Sequence, residues 1–66
     1  MIEENYIVRF VRKDNLPVED YLYYDLNDAE SHFNLFEKDD SGLYNNIILL
    51  FCFGDKTMVI REIEFT

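Results

Sequence analysis

Apolar residues alternate with polar ones near the start of the chain, and this pattern predicts a β-strand. In residues 5–12, the side chains of Tyr6, Val8 and Phe10 stand at every second position. Because successive side chains of a strand point to opposite faces, all three would lie on one face of a sheet.

The alternation stops at residues 13–18 and then resumes. Asp-Asn favours a turn in this stretch, and Pro17 cannot donate a hydrogen bond to a sheet. Residues 19–26 predict a second strand with an aliphatic and aromatic inward face and an outward face of phenols and a carboxylate. The inward set is Leu22, Tyr24 and Leu26, and the outward set is Tyr21, Tyr23 and Asp25.

The spacing of apolar residues changes to three and four after residue 27, which predicts an α-helix. Asn27 is a good N-cap residue, and Glu30 follows at the distance that allows the two side chains to satisfy each other's backbone N–H groups. We expect the helix to end at residues 38–40, before Gly42, which can adopt a positive φ. The face of the helix toward the sheet is predicted to carry Ala29, His32, Phe33 and Phe36.

The last third of the chain predicts a β-hairpin. Residues 44–53 include seven consecutive apolar residues, 47–53, which indicates a central strand that is apolar on both faces. Gly54-Asp55 suits a two-residue type II′ turn, with residues 57–65 as the returning strand. The order β-β-α-β-β predicts an α+β fold, with a four-stranded, mainly antiparallel sheet and one helix packed on one face.

Length and composition indicate a single small domain, residues 1–66, that depends on its core. A chain of this length buries only about 60% of the surface that its unfolded form exposes. The sequence is 48% hydrophobic, with six Phe and five Tyr, and this is enough apolar surface for a compact fold. Its single cysteine, Cys52, allows no disulfide within the chain.

The strong negative charge argues against two classes of partner. Fourteen acidic residues against six basic ones give a net charge of −8, which repels nucleic-acid phosphates and anionic membranes. The first residues show neither a basic nor an apolar leader region, and the apolar run 47–53 is far shorter than the ~20 residues of a membrane span. We therefore expect a cytoplasmic protein that binds neither nucleic acid nor membrane directly.

No group of residues predicts catalysis, a metal site or a cofactor. His32 has Asp28 as its nearest candidate partner at helical spacing, which is typical of a half-buried structural histidine. Cys52 lies within an apolar strand and is expected to act as a small buried hydrophobic residue. Residues 37–42 resemble the start of a calcium loop, but Ile48 stands where such a loop requires a bidentate glutamate. The sequence predicts a protein that is not an enzyme.

Two segments resemble small acidic proteins of unknown role from mobile elements of clostridia-like bacteria. They are residues 24–33, Tyr-Asp-Leu-Asn-Asp-Ala-Glu-Ser-His-Phe, and residues 39–44, Asp-Asp-Ser-Gly-Leu-Tyr. The resemblance implies a setting, namely an accessory protein of a bacterial conjugative transposon or prophage, and no functional residues.

Counting outward from the Gly54-Asp55 turn predicts that the sheet is apolar on both faces. Phe51 would face Met58, and Leu49 would face Ile60, on one side, while Leu50 and Val59 would meet on the other, unless a bulge near residues 61–62 changes the register. One short helix covers only one side, so we expect a homodimer or another protein partner. The candidate interface residues are Ile47, Leu49, Phe51, Phe53, Met58, Ile60, Tyr21 and Tyr23.

These observations predict a non-enzymatic protein–protein interaction module that binds through its acidic surface or an apolar sheet face. Two alternatives remain open. One is an acidic inhibitor that presents carboxylates to a basic host protein in place of nucleic-acid phosphates. The other is a small enzyme or ligand-binding domain in which Tyr21, Tyr23, His32 and the acids near the helix N-terminus converge on a shallow pocket.

Overall fold

Four antiparallel strands form one sheet, and a single helix packs on one of its faces. The computed structural model describes residues 4–14 and 16–65. The strand order across the sheet is β2-β1-β3-β4, so the predicted α+β fold and the order β-β-α-β-β are confirmed. The elements are β1 (Glu4–Arg12), β2 (Glu19–Tyr23), α1 (Leu26–Leu35), β3 (Tyr44–Phe53) and β4 (Lys56–Glu64).

The core lies between α1 and the two central strands. The predicted alternation in β1 and the predicted apolar face of the helix are both confirmed, because their buried side chains meet there. Full burial of a Val, Leu, Ile or Phe side chain contributes about 1.5–3 kcal/mol to the free energy of unfolding, so these contacts are the main source of stability. The core residues, each at most 2% exposed, are Val8, Phe10, Ala29, Phe33, Ile47 and Leu49.

Helix α1 begins earlier than the sequence predicts, because Asp25 is its N-cap. The Asp25 carboxylate accepts a hydrogen bond from the Asn27 backbone N–H at 2.7 Å, and the Asp25 carbonyl accepts one from the Ala29 N–H at 3.1 Å. The predicted capping pair of Asn27 and Glu30 is therefore wrong, since both residues lie inside the helix. β2 ends at Tyr23, two residues before the cap, so the chain turns directly from strand to helix.

The helix also ends earlier than predicted, at Leu35. The Phe36 N–H donates to the Phe33 carbonyl and the Glu37 N–H donates to the Asn34 carbonyl, which are the tighter bonds typical of a helix end. Turn structure continues to residue 38. Gly42 has φ of 76°, as expected, and the chain then enters β3.

The predicted faces of β2 are reversed in the structure. Tyr6 of β1 pairs with Tyr23, so Tyr21 and Tyr23 lie on the helix side of the sheet, and Leu22 lies on the opposite side. Leu26 does reach the core, but from the helix and not from a strand. Leucine and tyrosine both suit either face of an edge strand, and the pairing with β1 decides between them.

The β3–β4 hairpin follows the predicted register only for its first half. Gly54 has φ of 62°, and the pairs next to the turn are those predicted from the sequence, as far as Leu50 with Val59. Beyond that pair the register shifts, so that Leu49 faces Arg61 and not Ile60. Ile60 is therefore the extra residue of a β-bulge, just before the position where the sequence allowed one.

The bulge places Arg61 on the helix side of the sheet. Its guanidinium lies 4.8 Å from the centre of the Phe33 ring and donates hydrogen bonds to the side chains of Asn34, at 3.0 Å, and Glu37, at 3.4 Å. Arg61 thus links β4 to the helix.

Among residues 4–14 and 16–65, no helix is long and apolar enough to cross a membrane.

Candidate interaction surfaces

The face of the sheet opposite the helix, here called the open face, carries an aliphatic stripe. The strand pairing aligns one residue from each strand in a row across the sheet: Leu22, Ile7, Leu50 and Val59. The two outer members are exposed, Leu22 by 53% and Val59 by 55%, whereas Leu50 is buried by its neighbours. No element in the described part of the chain packs over this stripe.

Charged residues on the open face largely have partners within the chain. Arg9 and Asp20 form a bidentate ion pair with N···O distances of 2.8 and 3.0 Å, and this hydrogen bonding raises the pKa of Arg9. The Glu62 carboxylate accepts a hydrogen bond of 2.7 Å from the Asn46 side-chain amide. The row beside the stripe therefore has one neutral ion pair and one acid bound to an amide.

A second apolar surface lies on the helix side of the sheet, where the β3–β4 hairpin extends past the helix. It is a shallow depression of about 520 Å³. Its apolar side chains include Met58, which is 61% exposed, and Lys56 supplies its positive charge. We call this surface the hairpin depression, and its lining residues are Phe51, Phe53, Lys56, Thr57 and Met58.

The helix divides the predicted interface residues into separate groups. Ile47 and Leu49 are fully buried beneath α1, so their assignment to an interface was wrong: the helix covers the face on which they lie. Four others remain exposed or partly exposed near the hairpin: Phe51, Phe53, Met58 and Ile60. The last two, Tyr21 and Tyr23, lie at the far edge of the sheet beside His32.

His32 lies within an aromatic cluster and does not have the predicted carboxylate partner. Its Nδ1 atom is 2.7 Å from the Tyr23 hydroxyl oxygen, and the two share one hydrogen bond, whereas the sequence suggested Asp28. Burial lowers the pKa of His32, which favours the neutral ring. The rings of Phe10, Tyr21 and Phe36 pack around it with centroids 4.9–5.7 Å away.

Tyr21, Tyr23 and His32, the residues named for the ligand-binding alternative, are therefore close together, but they pack against one another. His32 does not line the hairpin depression. A second depression, of about 490 Å³, lies near Lys13 and Phe65 and does not include His32 either. Among the described residues, the hydrogen-bond partner of the His32 ring is the Tyr23 hydroxyl and not a carboxylate that would orient the ring as a general base.

The acidic segment after the helix forms a local turn. The Asp39 carboxylate accepts hydrogen bonds from the Ser41 backbone N–H, at 3.3 Å, and from the Ser41 hydroxyl, at 2.6 Å. Within residues 4–14 and 16–65, no group of three or more His, Cys, Asp or Glu residues could hold a metal ion.

Cys52 is partly exposed on the open face, and the expectation that it is buried was wrong.

The basic residues near the first turn are paired with acids. Arg12 forms a bifurcated interaction with Asp14, with a shortest N···O distance of 2.6 Å, and this hydrogen bonding lowers the pKa of the Asp14 carboxyl. Arg9 is paired with Asp20. These pairs leave no cluster of unpaired arginines on β1 to attract a polyanion.

Sequence reasoning missed Leu22 as a surface residue and therefore missed the complete aliphatic stripe. The signal was available only through the pairing of β1 with β2, since Ile7 and Leu22 lie in one row once Tyr6 is set opposite Tyr23.

Compared with protein-family models, curated proteins and solved structures, the chain shows no significant match.

Proposed function

We propose that the protein is a non-enzymatic protein–protein interaction module that functions as a homodimer, joined through the open faces of two sheets. The observation that supports this most directly is the aliphatic stripe. It includes two residues that are more than half exposed, and no part of the described chain covers it. Exposed apolar surface of this kind is typical of a binding site.

The stripe is complementary to itself, which favours a second copy as the partner. A two-fold axis parallel to the strands exchanges β2 with β4 and β1 with β3 when two sheets are stacked. Leu22 then lies opposite Val59 of the second copy, and Ile7 lies opposite its Leu50. Every aliphatic residue of the stripe therefore meets another aliphatic residue.

The size of the open face is sufficient for a modest dimer. β1, β3 and β4 are each about nine residues long at about 3.4 Å per residue, and β2 has five residues, so with strands about 4.8 Å apart the face covers roughly 500 Å². Stacking two such faces removes about 1,000 Å² in total from water, just below the usual range for specific interfaces. We therefore expect a dissociation constant in the micromolar range.

The net charge gives this dimer a characteristic response to salt. Each copy has a charge of −8, so association brings like charges together, and added salt screens their repulsion. The homodimer should therefore tighten at higher salt. An acidic inhibitor bound to a basic host protein should show the opposite response, because salt screens an attraction.

Sedimentation equilibrium at about 100 µM protein, a concentration at which a micromolar dimer is mostly assembled, tests the proposal. We expect Leu22→Glu to raise the dissociation constant at least about tenfold, because it places a charge against aliphatic side chains. Leu35→Glu is the matched control, since Leu35 is 80% exposed on the helix, away from the open face. A monomeric wild-type protein, or equal effects of the two variants, would contradict the proposal.

A bacterial mobile element as the source of the protein, and the cytoplasm as its location, remain predictions from the sequence. The acidic-inhibitor alternative is decided by the same sedimentation measurement made at about 50 mM and about 500 mM salt with a candidate basic partner present. A complex that is lost at the higher salt, from a protein that is monomeric alone, would favour that alternative.

A further inference from the structure

Strand β4 is an edge of the sheet, and part of its backbone is directed outward. Phe53 and Lys56 flank the two-residue turn, so they form the hydrogen-bonded pair that closes it. Hydrogen-bonded and non-hydrogen-bonded pairs alternate along an antiparallel ladder. Thr57 and Val59 therefore direct their N–H and C=O groups away from β3 and out of the sheet.

The first half of β4 has only one of the features that protect sheet edges, the charge of Lys56 at its first residue. Charged side chains and bulges are the usual protection against pairing with another chain. In β4 the bulge at Ile60 and the charges of Arg61, Glu62 and Glu64 all fall in the second half. The other edge, β2, is only five residues long and begins with two acids.

The hairpin depression lies beside this same half of β4. Met58 pairs with Phe51 and so points to the helix side of the sheet, as does Lys56, which pairs with Phe53. A fifth strand added next to β4 would place alternate side chains against these two residues. One of its side chains would enter the depression at Met58, and the side chain two positions away would lie beside the ammonium group of Lys56.

We propose that the first half of β4 binds an extended peptide, which joins the sheet as an additional antiparallel strand. Backbone hydrogen bonds to Thr57 and Val59 supply affinity, as in other cases of strand addition, and the depression selects an apolar side chain. Charge complementarity selects a carboxylate beside Lys56, which takes part in no ion pair within the described residues. The antiparallel direction makes the recognised sequence apolar-x-acid, read from the N-terminal side. The site shares Val59 with the open face, but it uses the backbone of Val59 and side chains on the helix side, so it does not require the proposed dimer.

The test is an NMR titration of the protein with the end-capped peptide Thr-Val-Thr-Phe-Thr-Glu. We expect the Thr57 and Val59 amides to shift, and their hydrogen exchange to slow about tenfold when nine-tenths of the sites are occupied, since only the free form exchanges. Three matched probes should bind more weakly: the reversed peptide, a peptide N-methylated at the two threonines on either side of Phe, and a peptide with Lys in place of Glu. Met58→Glu should abolish binding.

The titration is repeated on Leu22→Glu, so that the outcome does not depend on the dimer. Any of three results would overturn the proposal: no shift at millimolar peptide, shifts confined to the open face around Ile7, or unchanged binding of the N-methylated peptide. Slowed exchange at Thr57 that grows with protein concentration and without peptide would also overturn it, because it would show that a second copy pairs with this edge.

Discussion

Replacing the N-cap of the helix distinguishes the observed start of α1 from the start that the sequence predicts. The hydrogen bond from the Asn27 N–H to the Asp25 carboxylate, at 2.7 Å, is lost in Asp25→Ala. Loss of such a cap costs about 1 kcal/mol, within a total stability of roughly 3–10 kcal/mol for a domain of this size. For small domains this corresponds to a fall in Tm of about 4–8 °C.

The matched variant is Asn27→Ala. The Asn27 side chain caps nothing in the structure, and alanine is the best helix former, so we expect a change within about 0.5 kcal/mol. Asp25→Asn keeps an acceptor and should lose only the charge–dipole contribution, about 0.3–1 kcal/mol. Circular dichroism melts of the three variants provide the measurement. If Asn27→Ala melted at a lower temperature than Asp25→Ala, the helix would begin two residues later and our assignment would be refuted.

Two further predictions concern the packing around the helix. The lowered pKa of His32 means that the folded protein favours the neutral ring, so stability should be full above the unfolded pKa of about 6.5 and should decrease as the pH falls toward the folded pKa. Urea unfolding at about pH 7.5 and about pH 5.5 should show this loss for the wild type and a smaller one for His32→Gln; equal losses would contradict it. Arg61→Ala should cost about 1 kcal/mol, from the contact with Phe33 and the exposed ion pair with Glu37, and Arg61→Lys should recover only part of this in the same assay.

The parts of the fold that follow from local pattern could be predicted from the sequence. β1 and the buried face of the helix each show a periodicity that places Val8 and Phe33 in the core, and the apolar run of β3 indicates a central strand. The start of the helix could not be settled in this way. Asp25 and Asn27 are both good caps, and the choice depends on β2 ending at Tyr23, which the pairing with β1 determines.

The interaction surfaces were less predictable, because they depend on contacts between elements. Apolar pattern alone does not show how far along the strands the helix reaches, so Ile47 and Leu49, which it buries, could not be separated from Met58, which is exposed on the same side. The bulge sets Arg61 against Phe33, a residue far away in sequence, and local pattern does not show that contact. The stripe requires the register of all three strand pairs, which is information that no single segment contains.

The bulge at Ile60 makes one position of β4 tolerant of changes in chain length. Deleting a residue from a regular strand exchanges the faces of every residue beyond the deletion. β4 has one residue more than its partner requires, so deletion of Ile60 would leave Val59 on the open face and Arg61 on the helix face. β3 is paired on both sides, and its one register shift against β1 lies at its start, where Asn46 pairs with Val11 and Tyr44 pairs with Arg12. Among natural variants of this chain, single-residue insertions and deletions within the β3–β4 hairpin, residues 46–64, should therefore concentrate at residues 59–61.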